Sequence, residues 1–581
     1  PPPPPPPPPP SFQAEDGIRD WQYCLVGSEM CIRDSIYTLS PAQEGMLFHS
    51  ITEPGTGLYV DQLTCRLSGD VDAQRLRRAW QSVFDRHPAL RTLFLWDEID
   101  EPLQVVRREV AICWEEKDWR GGGGFGQRLH DYLESDRVEG FDLARAPLAR
   151  FLLVRESDHS WRLVWSFHHL LLDGWSAPRV FQQAWNAYSD ETVSVEISRP
   201  FRDYIAWLKD RDPSATSAFW RRELEGLTAP TRIPAIGGER EQSGRRHRRE
   251  RILDGATSRS LEEFAKRHRL TLNTVFHAAW GLLLHRYTGS DDLLFGTTVA
   301  GRPAELEGIE DLVGCCINTL PFRIKIDGER DPVEWMGELQ SSHVALREFE
   351  FASLRKILNE SSLPRDEDAF DTIVVFENYP FAFSDPDSYD GVEVHQVDLF
   401  EQSHFPLALL ILPGTDGIRL LFLFDRARFS VGMIERLEEH LLAGLRSLTD
   451  GSARRLEEIE LTVPEDVARL QLFERGPTLA PRPDSVLPEI EHWLSHPPDR
   501  PALWFEGTEI GYGELCQHSG GLAKRLRSAG ATRGSRVAVS IERSPEMIAA
   551  ILAILRIGAA YVPIDPSYPQ ERIEMLLEES G

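Results

Sequence analysis

The sequence predicts an α/β protein built from several compact units. Its 581 residues exceed what one hydrophobic core usually serves, since single domains hold roughly 50 to 250 residues. Strand-like and helix-like segments alternate twice between residues 36 and 450, which favours two α/β lobes. A polar stretch then precedes a third α/β pattern, which begins near Leu487. The hydrophobic fraction of 41% and the charged fraction of 27% are typical of a soluble globular protein.

The charge balance and the cysteine content exclude several classes of protein. The chain has 64 basic and 92 acidic residues and a net charge of −28, which repels phosphate backbones and anionic lipid, so we expect no nucleic-acid or membrane partner. No segment reaches the roughly 18 apolar residues that span a bilayer, and no secretory signal opens the chain. The seven cysteines show no metal-ligand spacing, which indicates reduced thiols, no metal site and a cytoplasmic location.

Residues 1–35 are expected to lie outside the fold. Residues 1–10 are an unbroken proline run, which forms only an extended, solvated segment. The stretch that follows has neither a helical nor a strand period and looks like translated sequencing-adapter DNA. We therefore interpret residues 1–35 as a non-native or disordered leader.

The first lobe opens with strong helix-start signals. Ser40 suits an N-cap, Pro41 suits the first helical position, and Gln43 completes a capping box. An amphipathic helix farther along is predicted from apolar side chains at helical spacing, namely Leu76, Trp80, Val83 and Phe84. Strands are predicted at residues 63–67, 93–95, 148–154 and 161–167.

The second lobe and the third pattern follow the same logic. A buried helix is predicted over residues 272–287, ending near Gly289, and another helix over 431–445. The predicted strands between them are 293–299, 320–324, 372–376, 407–412 and 418–424. Residues 451–486 have the composition of a linker. The third pattern comprises strand 537–541, a helix capped by Ser544 and strand 561–564.

Two adjacent histidines mark the candidate site. His168 and His169 directly follow the predicted strand 161–167, and Asp173 and Gly174 come soon after. Neighbouring residues at a strand end point to opposite faces, so one ring can face a cleft while the other packs inward. An imidazole is a suitable base for accepting a proton from an amine, Asp173 can fix the local structure, and Gly174 allows close approach of a substrate to its backbone. From residue types alone, a packed core role remains the alternative to catalysis.

The run HHLLLDGWS at residues 168–176 resembles the HHxxxDG signature of the condensation domains of nonribosomal peptide synthetases. Six further blocks are similar to motifs of that family and stand in the expected order: LSPAQEGM (39–46), RHPALRTLF (86–94), FRDYIAW (201–207), GRP (301–303), VGCCINTLP (313–321) and FENYP (376–380). The resemblance therefore extends well beyond one short motif.

This resemblance implies the domain organisation. The family has two lobes that resemble chloramphenicol acetyltransferase, which we place at residues 36–195 and 196–450, followed by the linker 451–486. IGYGEL (510–515) and IGAAYVPID (557–565) resemble the first two blocks of an adenylation domain, so residues 487–581 are expected to be its truncated N-terminal part. The motifs that bind ATP and magnesium would lie beyond Gly581, so we expect no adenylation activity from this chain and no cofactor bound by the condensation domain.

The resemblance also implies a reaction. Upstream and downstream carrier domains would bring a donor aminoacyl or peptidyl thioester and an acceptor aminoacyl thioester on phosphopantetheine arms, through a tunnel between the lobes. His169 is the candidate that orients or deprotonates the acceptor amine. His168 and Asp173 are expected to be structural, and the Gly174 amide is a candidate for stabilising the oxyanion.

Further residues are assigned by the same resemblance. Arg91 is the expected ion-pair partner of Asp173, with Trp175 and Ser176 supporting the site. The candidates for the acceptor side of the tunnel are Asn318, Asn378 and Tyr379.

Two features depart from the family pattern or are ambiguous. Cys315 and Cys316 replace bulkier apolar residues, which is expected to change packing or pocket shape. The turn at residues 301–303 either orders a loop beside the tunnel or is an ordinary surface turn.

Several alternatives to condensation remain open. Epimerisation domains of the superfamily usually have Trp after the motif serine, whereas Trp175 precedes Ser176 here. Heterocyclisation domains use an Asp-based motif in place of the histidines. A combined epimerisation and condensation domain carries an extra histidine motif near its start, in the region of the leader. The remaining alternative is not an enzyme: a catalytically silent module that only binds carrier domains.

Overall fold

The computed structural model describes residues 36–190, 199–234, 246–364, 368–377, 387–414, 417–475 and 487–581. The chain divides into two compact units, Pro1–Asp466 and Val467–Gly581. The predicted leader at residues 1–35 lies outside the described residues. None of the helices in the described ranges is long and apolar enough to cross a bilayer.

The first lobe starts at the predicted capping box. Its elements are β1 (Ile36–Thr38), α1 (Pro41–Thr52), β2 (Val60–Ser68), α2 (Ala73–Arg86), β3 (Thr92–Leu95), β4 (Leu103–Val106), β5 (Cys113–Asp118), α3 (Phe125–Glu139), β6 (Ala149–Arg155), β7 (Ser160–His168) and α4 (Ser176–Ser189). Ser40 caps α1 by accepting from the Gln43 amide, and the Gln43 side chain accepts from the Ser40 amide at 2.9 Å. The apolar face of α2 is buried as predicted, and Trp80 packs on Trp165 of β7 with ring centroids 4.8 Å apart.

The second lobe surrounds a largely apolar helix. The elements in this part of the chain are α5 (Phe201–Lys209), α6 (Pro213–Glu223), β8 (Arg246–Ile252), α7 (Gly255–His268), α8 (Leu272–Thr288), β9 (Asp292–Val299), β10 (Asn318–Lys325), α9 (Pro332–Arg347), α10 (Leu354–Asn359), β11 (Thr372–Phe376), β12 (Asp387–Tyr389), β13 (Val392–Phe400), β14 (Leu407–Gly414), β15 (Gly417–Asp425) and α11 (Val431–Thr449), of which β12 and β13 join the first-lobe sheet. The helix α8 is buried from Thr274 to Leu284 and ends at Gly289, which adopts a left-handed φ of 71°. The sheet of the second lobe has six strands in the order β10-β9-β11-β14-β15-β8.

One segment of the chain crosses between the lobes. The first-lobe sheet has the order β12-β13-β2-β7-β6-β5, and β13 pairs antiparallel with β2, placing Phe400 opposite Gln62. The prediction that residues 196–450 form only the second lobe is therefore wrong for this segment. Alternating apolar residues predict a strand but do not specify which sheet it joins.

The predicted linker also begins later than expected. Leu456, Ile459 and Leu461 are buried in the hydrophobic core of the second lobe, and the helix α12 (Pro464–Arg475) follows. This stretch is polar overall, so its composition predicted a linker, although three of its apolar side chains pack into the second lobe. Residues 476–486, which complete the predicted linker, lie outside the described residues.

The second unit is a small α/β assembly. Its elements are α13 (Leu487–Ser495), β16 (Pro501–Phe505), β17 (Thr508–Gly511), α14 (Tyr512–Ser528), β18 (Arg536–Val539), α15 (Pro545–Arg556), β19 (Ala560–Pro563) and α16 (Gln570–Ser580). Ser544 caps α15 as predicted, and β18 pairs parallel with β19. Buried residues of α14 and α15, including Leu515, Ala553 and Ile554, form its core.

Candidate active site

The pairing of β2 with β7 places the two histidines on opposite faces of the sheet. Val60 lies opposite His168, and Asp61 lies opposite Phe167. Just past the strand, the His169 amide donates to the Tyr59 carbonyl at 2.8 Å. Because side chains alternate along a strand, His169 shares a face with Asp61 while His168 points to the other side.

His168 is a buried, neutral imidazole. The Leu170 amide donates to its Nδ1 at 3.2 Å, and its Nε2 lies 3.2 Å from the Ser50 hydroxyl, which itself donates to the Met46 carbonyl. This network assigns the proton to Nε2. Burial, with the neighbouring His169, lowers the pKa of His168 to about 3. His168 therefore joins α1 to the end of β7 and stays uncharged near neutral pH.

His169 is held by a buried carboxylate. Its Nδ1 lies 2.5 Å from Oδ2 of Asp61, and its side chain is 12% exposed. Burial by itself lowers the pKa of His169. The charge of the Asp61 carboxylate and its hydrogen bond outweigh burial and raise the pKa to about 9. The ring is therefore a protonated imidazolium near neutral pH, with Nε2 on the side away from Asp61.

A second carboxylate completes the cluster. Glu401 directly follows β13, whose pairing with β2 ends with Phe400 opposite Gln62, the residue after Asp61. One side-chain nitrogen or oxygen atom from each of Asp61, His169 and Glu401 lies within 4.8 Å of the other two. Burial and then the charge of Asp61 raise the pKa of Glu401 to about 7, and burial also raises the pKa of Asp61. Sequence reasoning missed both carboxylates, because Asp61 is the second residue of β2 whereas Glu401 follows β13, far along the chain.

Tyr59 adopts a strained backbone conformation next to the cluster. Its φ is 60°, in the left-handed region that bulky residues rarely occupy. The Tyr59 hydroxyl lies 2.5 Å from Nδ1 of His404, and its ring stacks on that of His169 with centroids 6.4 Å apart. This conformation presents the Tyr59 carbonyl to the His169 amide and gives the site an aromatic wall.

Asp173 is the centre of a buried network between the two lobes. Oδ1 accepts from the Ser176 amide at 2.8 Å, and Oδ2 accepts from the Cys316 amide at 2.9 Å. Both oxygens also accept from Nη2 of Arg302 at 3.1 Å. Asp173 and Arg302 have side-chain exposures of 0% and 5%, so the charges neutralise each other away from water.

Residues next to Asp173 extend this network. The Ser176 hydroxyl donates to the Gly314 carbonyl at 2.8 Å and accepts from Arg302 at 3.0 Å. The Trp175 indole donates to the Glu310 carbonyl at 2.9 Å. Gly174 is buried in the turn before α4. The signature therefore joins the first lobe to the segment 301–316 of the second.

Comparisons with known proteins agree with this architecture. The family model for the condensation domain matches residues 33–471, and the model for AMP-binding enzymes matches residues 490–581. A linear gramicidin synthase of Brevibacillus parabrevis is 38% identical over 94% of this chain, and surfactin synthase subunit 3 of Bacillus subtilis (strain 168) is 32% identical over 94% of it.

The chain belongs to the condensation-domain family of nonribosomal peptide synthetases. Condensation domains of these synthetases form amide bonds, so the predicted class of enzyme, an amide-forming acyltransferase, is confirmed, as is the partial AMP-binding unit that follows. The chain spans 7% of that gramicidin synthase and 43% of that surfactin synthase.

Solved structures confirm the predicted fold class. A four-domain nonribosomal peptide synthetase, solved with AMP and glycine, superposes on 94% of this chain and 43% of its own with a TM-score of 0.79 at 20% identity. The first condensation domain of the calcium-dependent antibiotic synthetase, solved with a substrate analogue, covers 74% of this chain and all of its own, with a TM-score of 0.62 at 17% identity.

The structure corrects the assignment of Arg91 in this condensation domain. Arg91 donates to the carbonyls of Phe84, Arg107 and Arg108 and does not pair with Asp173. Arg302 of the GRP turn takes that place. The alternative of an ordinary surface turn is wrong for residues 301–303, because Arg302 is buried and a Cβ on Gly301, whose φ is +62°, would lie 1.8 Å from the Cys316 carbonyl oxygen.

The acceptor-side candidates separate into two groups. The Asn318 amide group donates to the carbonyls of Glu350 and Ala352 at 2.8 and 2.7 Å, and its oxygen accepts from the Thr319 amide. The contacts of Asn318 are thus with the backbone of its own lobe. Asn378 and Tyr379 lie outside the described residues.

Cys315 and Cys316 are free, buried thiols. Cys315 packs into the core of the first lobe, and Cys316 packs into a small separate cluster with Phe201 and Tyr204. Burial raises the pKa of both thiols, Cys316 to about 12. The contact of this pair with Asp173 is made by the Cys316 backbone amide.

Proposed function

We propose that residues 36–466 form an amide bond between a donor acyl thioester and the amine of an acceptor aminoacyl thioester. The observation that carries this proposal is His169, held at a rigid strand end by Asp61, where the first-lobe sheet meets second-lobe segments. Holding two reactants in one geometry supplies a large share of the catalysis of such a bimolecular reaction.

The state of His169 favours positioning and charge stabilisation over proton removal. With Nδ1 bound to Asp61 and a pKa raised to about 9, the ring donates a hydrogen bond from Nε2. A protonated imidazole stabilises the negative charge that develops on the thioester oxygen or on the leaving thiolate. The Gly174 amide, in the turn before α4, is the second candidate donor.

The proposed substrates arrive on partner domains. An upstream and a downstream carrier domain deliver the two thioesters on phosphopantetheine arms. The condensation domain itself needs no cofactor for this transfer. ATP and magnesium belong to the complete AMP-binding domain, whose remainder is a further partner.

The decisive experiment measures amide formation between two loaded carrier domains. We expect His169→Ala to lower the transfer rate by at least about 100-fold, the range that one acid–base or charge-stabilising group contributes. His130→Ala is the matched control, since that histidine lies on α3 with a side chain 58% exposed, and it should keep the wild-type rate. Transfer by His169→Ala at the wild-type rate would refute the proposal.

The same assay separates the competing functions. Donors of D and L configuration, each offered separately, report stereochemical preference and any conversion between the two forms. Conversion without transfer identifies an epimerisation domain, and conversion followed by transfer identifies a dual one. Binding of both loaded carriers with no product from any pair identifies a docking module.

A further inference from the structure

The cluster around His169 has an excess of negative charge. Asp61 and Glu401 are two carboxylates, and the His169 imidazolium neutralises one of them. Asp61 is 1% exposed, and its Oδ1 has no hydrogen-bond partner among the described residues. A buried acceptor without a donor is costly, so the site favours the arrival of a cationic donor of hydrogen bonds.

We propose that Asp61 and Glu401 bind the primary ammonium group of the acceptor beside His169, and that the Glu401 carboxylate accepts the proton that this group must lose before it attacks. This subsite rests on the proposed amide-forming function and names the group that activates the acceptor. An ammonium group offers three donors and one positive charge, which match the unpartnered Oδ1 and the excess charge.

Glu401 is available for this role because nearby cations are engaged elsewhere. Arg248 of β8 donates to Asp398 at 2.7 Å and to Glu250 at 3.2 Å. Glu401 is only partly buried and also lines a small cleft, whose wall includes Arg246 and Phe405. A proton taken up by Glu401 can therefore pass to water.

The proton and electron balance of the step is complete. The ammonium group transfers one proton to Glu401, and its nitrogen lone pair then attacks the donor carbonyl. The C–N bond forms, the C–S bond breaks, and the thiolate leaves with the second nitrogen proton as a thiol. Glu401 releases its proton to water, so the products are an amide, a free phosphopantetheine thiol and one proton.

The charged groups that face Glu401, together with its burial, bring its pKa close to that of an amine. Asp61 and Asp173 raise the pKa of Glu401 in addition to burial, and His169 and Arg248 lower it, with a result of about 7. This value lies close to the 7.7 to 8.0 of an ordinary α-amino group, so transfer between them is nearly balanced. His169 holds its own proton up to a pKa of about 9 and cannot take this one.

A binding experiment tests the subsite without any turnover. The probes are glycyl-aminopantetheine, in which an amide replaces the thioester, and its glycolyl counterpart, in which a hydroxyl replaces the amine. We expect the wild-type chain to bind the ammonium probe at least about tenfold more tightly, as for a hydrogen bond to a charged group. Glu401→Gln and Asp61→Asn should lose this preference. Glu393→Gln, on the exposed face of β13, should keep it.

The outcomes decide the proposal independently of transfer activity. Equal binding of the two probes by wild type, or an unchanged preference in Glu401→Gln with a wild-type melting temperature, would overturn it. Stoichiometric Zn²⁺ binding that displaces the ammonium probe would overturn it in favour of a metal centre.

A kinetic measurement tests the proton-transfer step. With a productive carrier pair, we expect Glu401→Gln to lower kcat about 100-fold near pH 7. The acidic limb of the rate profile should move from about 7, set by Glu401, to the amine's own value of about 8. An unchanged pH profile in the variant would overturn the role of Glu401 as proton acceptor.

Discussion

At the residue scale, His168 and His169 titrate in opposite directions although they are neighbours. The His168 ring lies among neutral groups, where burial lowers its pKa to about 3. The His169 ring points to the Asp61 carboxylate, which raises the pKa of His169 to about 9. Because neighbouring side chains of a strand point to opposite faces, two consecutive histidines meet different surroundings, and one ring is neutral while the other is cationic.

The raised pKa of Glu401 makes stability depend on pH. The folded state disfavours the ionised carboxylate, so its pKa rises from 4.5 when unfolded to about 7 when folded. The folded protein therefore loses stability as the pH rises from about 4.5 through about 7. We expect Glu401→Gln to raise the melting temperature by a few degrees near pH 8 and by roughly nothing near pH 4.5.

Thermal melting across this pH range, with Glu393→Gln as the exposed control, measures the effect. A lower melting temperature for Glu401→Gln near pH 8 would show that the ionised carboxylate stabilises the fold. It would also contradict the raised pKa that supports its role in the site.

Local signals were readable from the sequence, whereas partners distant along the chain were not. The Ser40 and Gln43 capping box was predicted correctly because its two residues are three apart. The closeness of Asp61 to Glu401 depends on which strand joins the first-lobe sheet, across more than 300 residues. The family resemblance implies Arg91 as the partner of Asp173, whereas the folded chain shows that Arg302 reaches it.

At the element scale, the segment 301–316 acts as a brace on the histidine signature. Arg302 donates to the carbonyls of Ile309 and Leu312 at 2.8 and 2.9 Å, so its side chain closes the loop as well as binding Asp173. The Trp175 ring lies 5.5 Å from its guanidinium group. This brace determines where the turn containing Gly174 sits relative to the second lobe.

Removing the brace should be costly. Arg302→Ala leaves the Asp173 charge buried without its partner, which costs about 3–5 kcal/mol in the free energy of unfolding. Arg302→Lys keeps the charge but not the planar set of donors, so we expect a smaller loss. Urea unfolding followed by circular dichroism measures both.

Arg221→Ala is the control for this experiment. Its side chain is 68% exposed in a surface ion pair with Glu360, and its loss should cost less than about 1 kcal/mol. A loss for Arg302→Ala as small as that of the control would mean that the network does not hold the lobes together.

At the scale of the whole first unit, the crossing strand makes the two lobes interdependent. Val392 and Val394 of β13 belong to the first-lobe core, although β11 and β14 on either side of this segment belong to the second-lobe sheet. The same segment delivers Glu401 to the site. The segment that adds β12 and β13 to the first-lobe sheet therefore also places the Glu401 carboxylate beside His169.

This interdependence predicts that the lobes lose stability together. Val394→Ala removes two buried methyl groups from a side chain that is 3% exposed, which costs about 2 kcal/mol. Because β13 is continuous with the second lobe, we expect hydrogen exchange to accelerate equally in β7 and in β9. Val138→Ala, at a valine 58% exposed, should leave exchange in both strands unchanged. Faster exchange in β7 alone would show that the lobes unfold independently and that the crossing strand detaches without disturbing the second core.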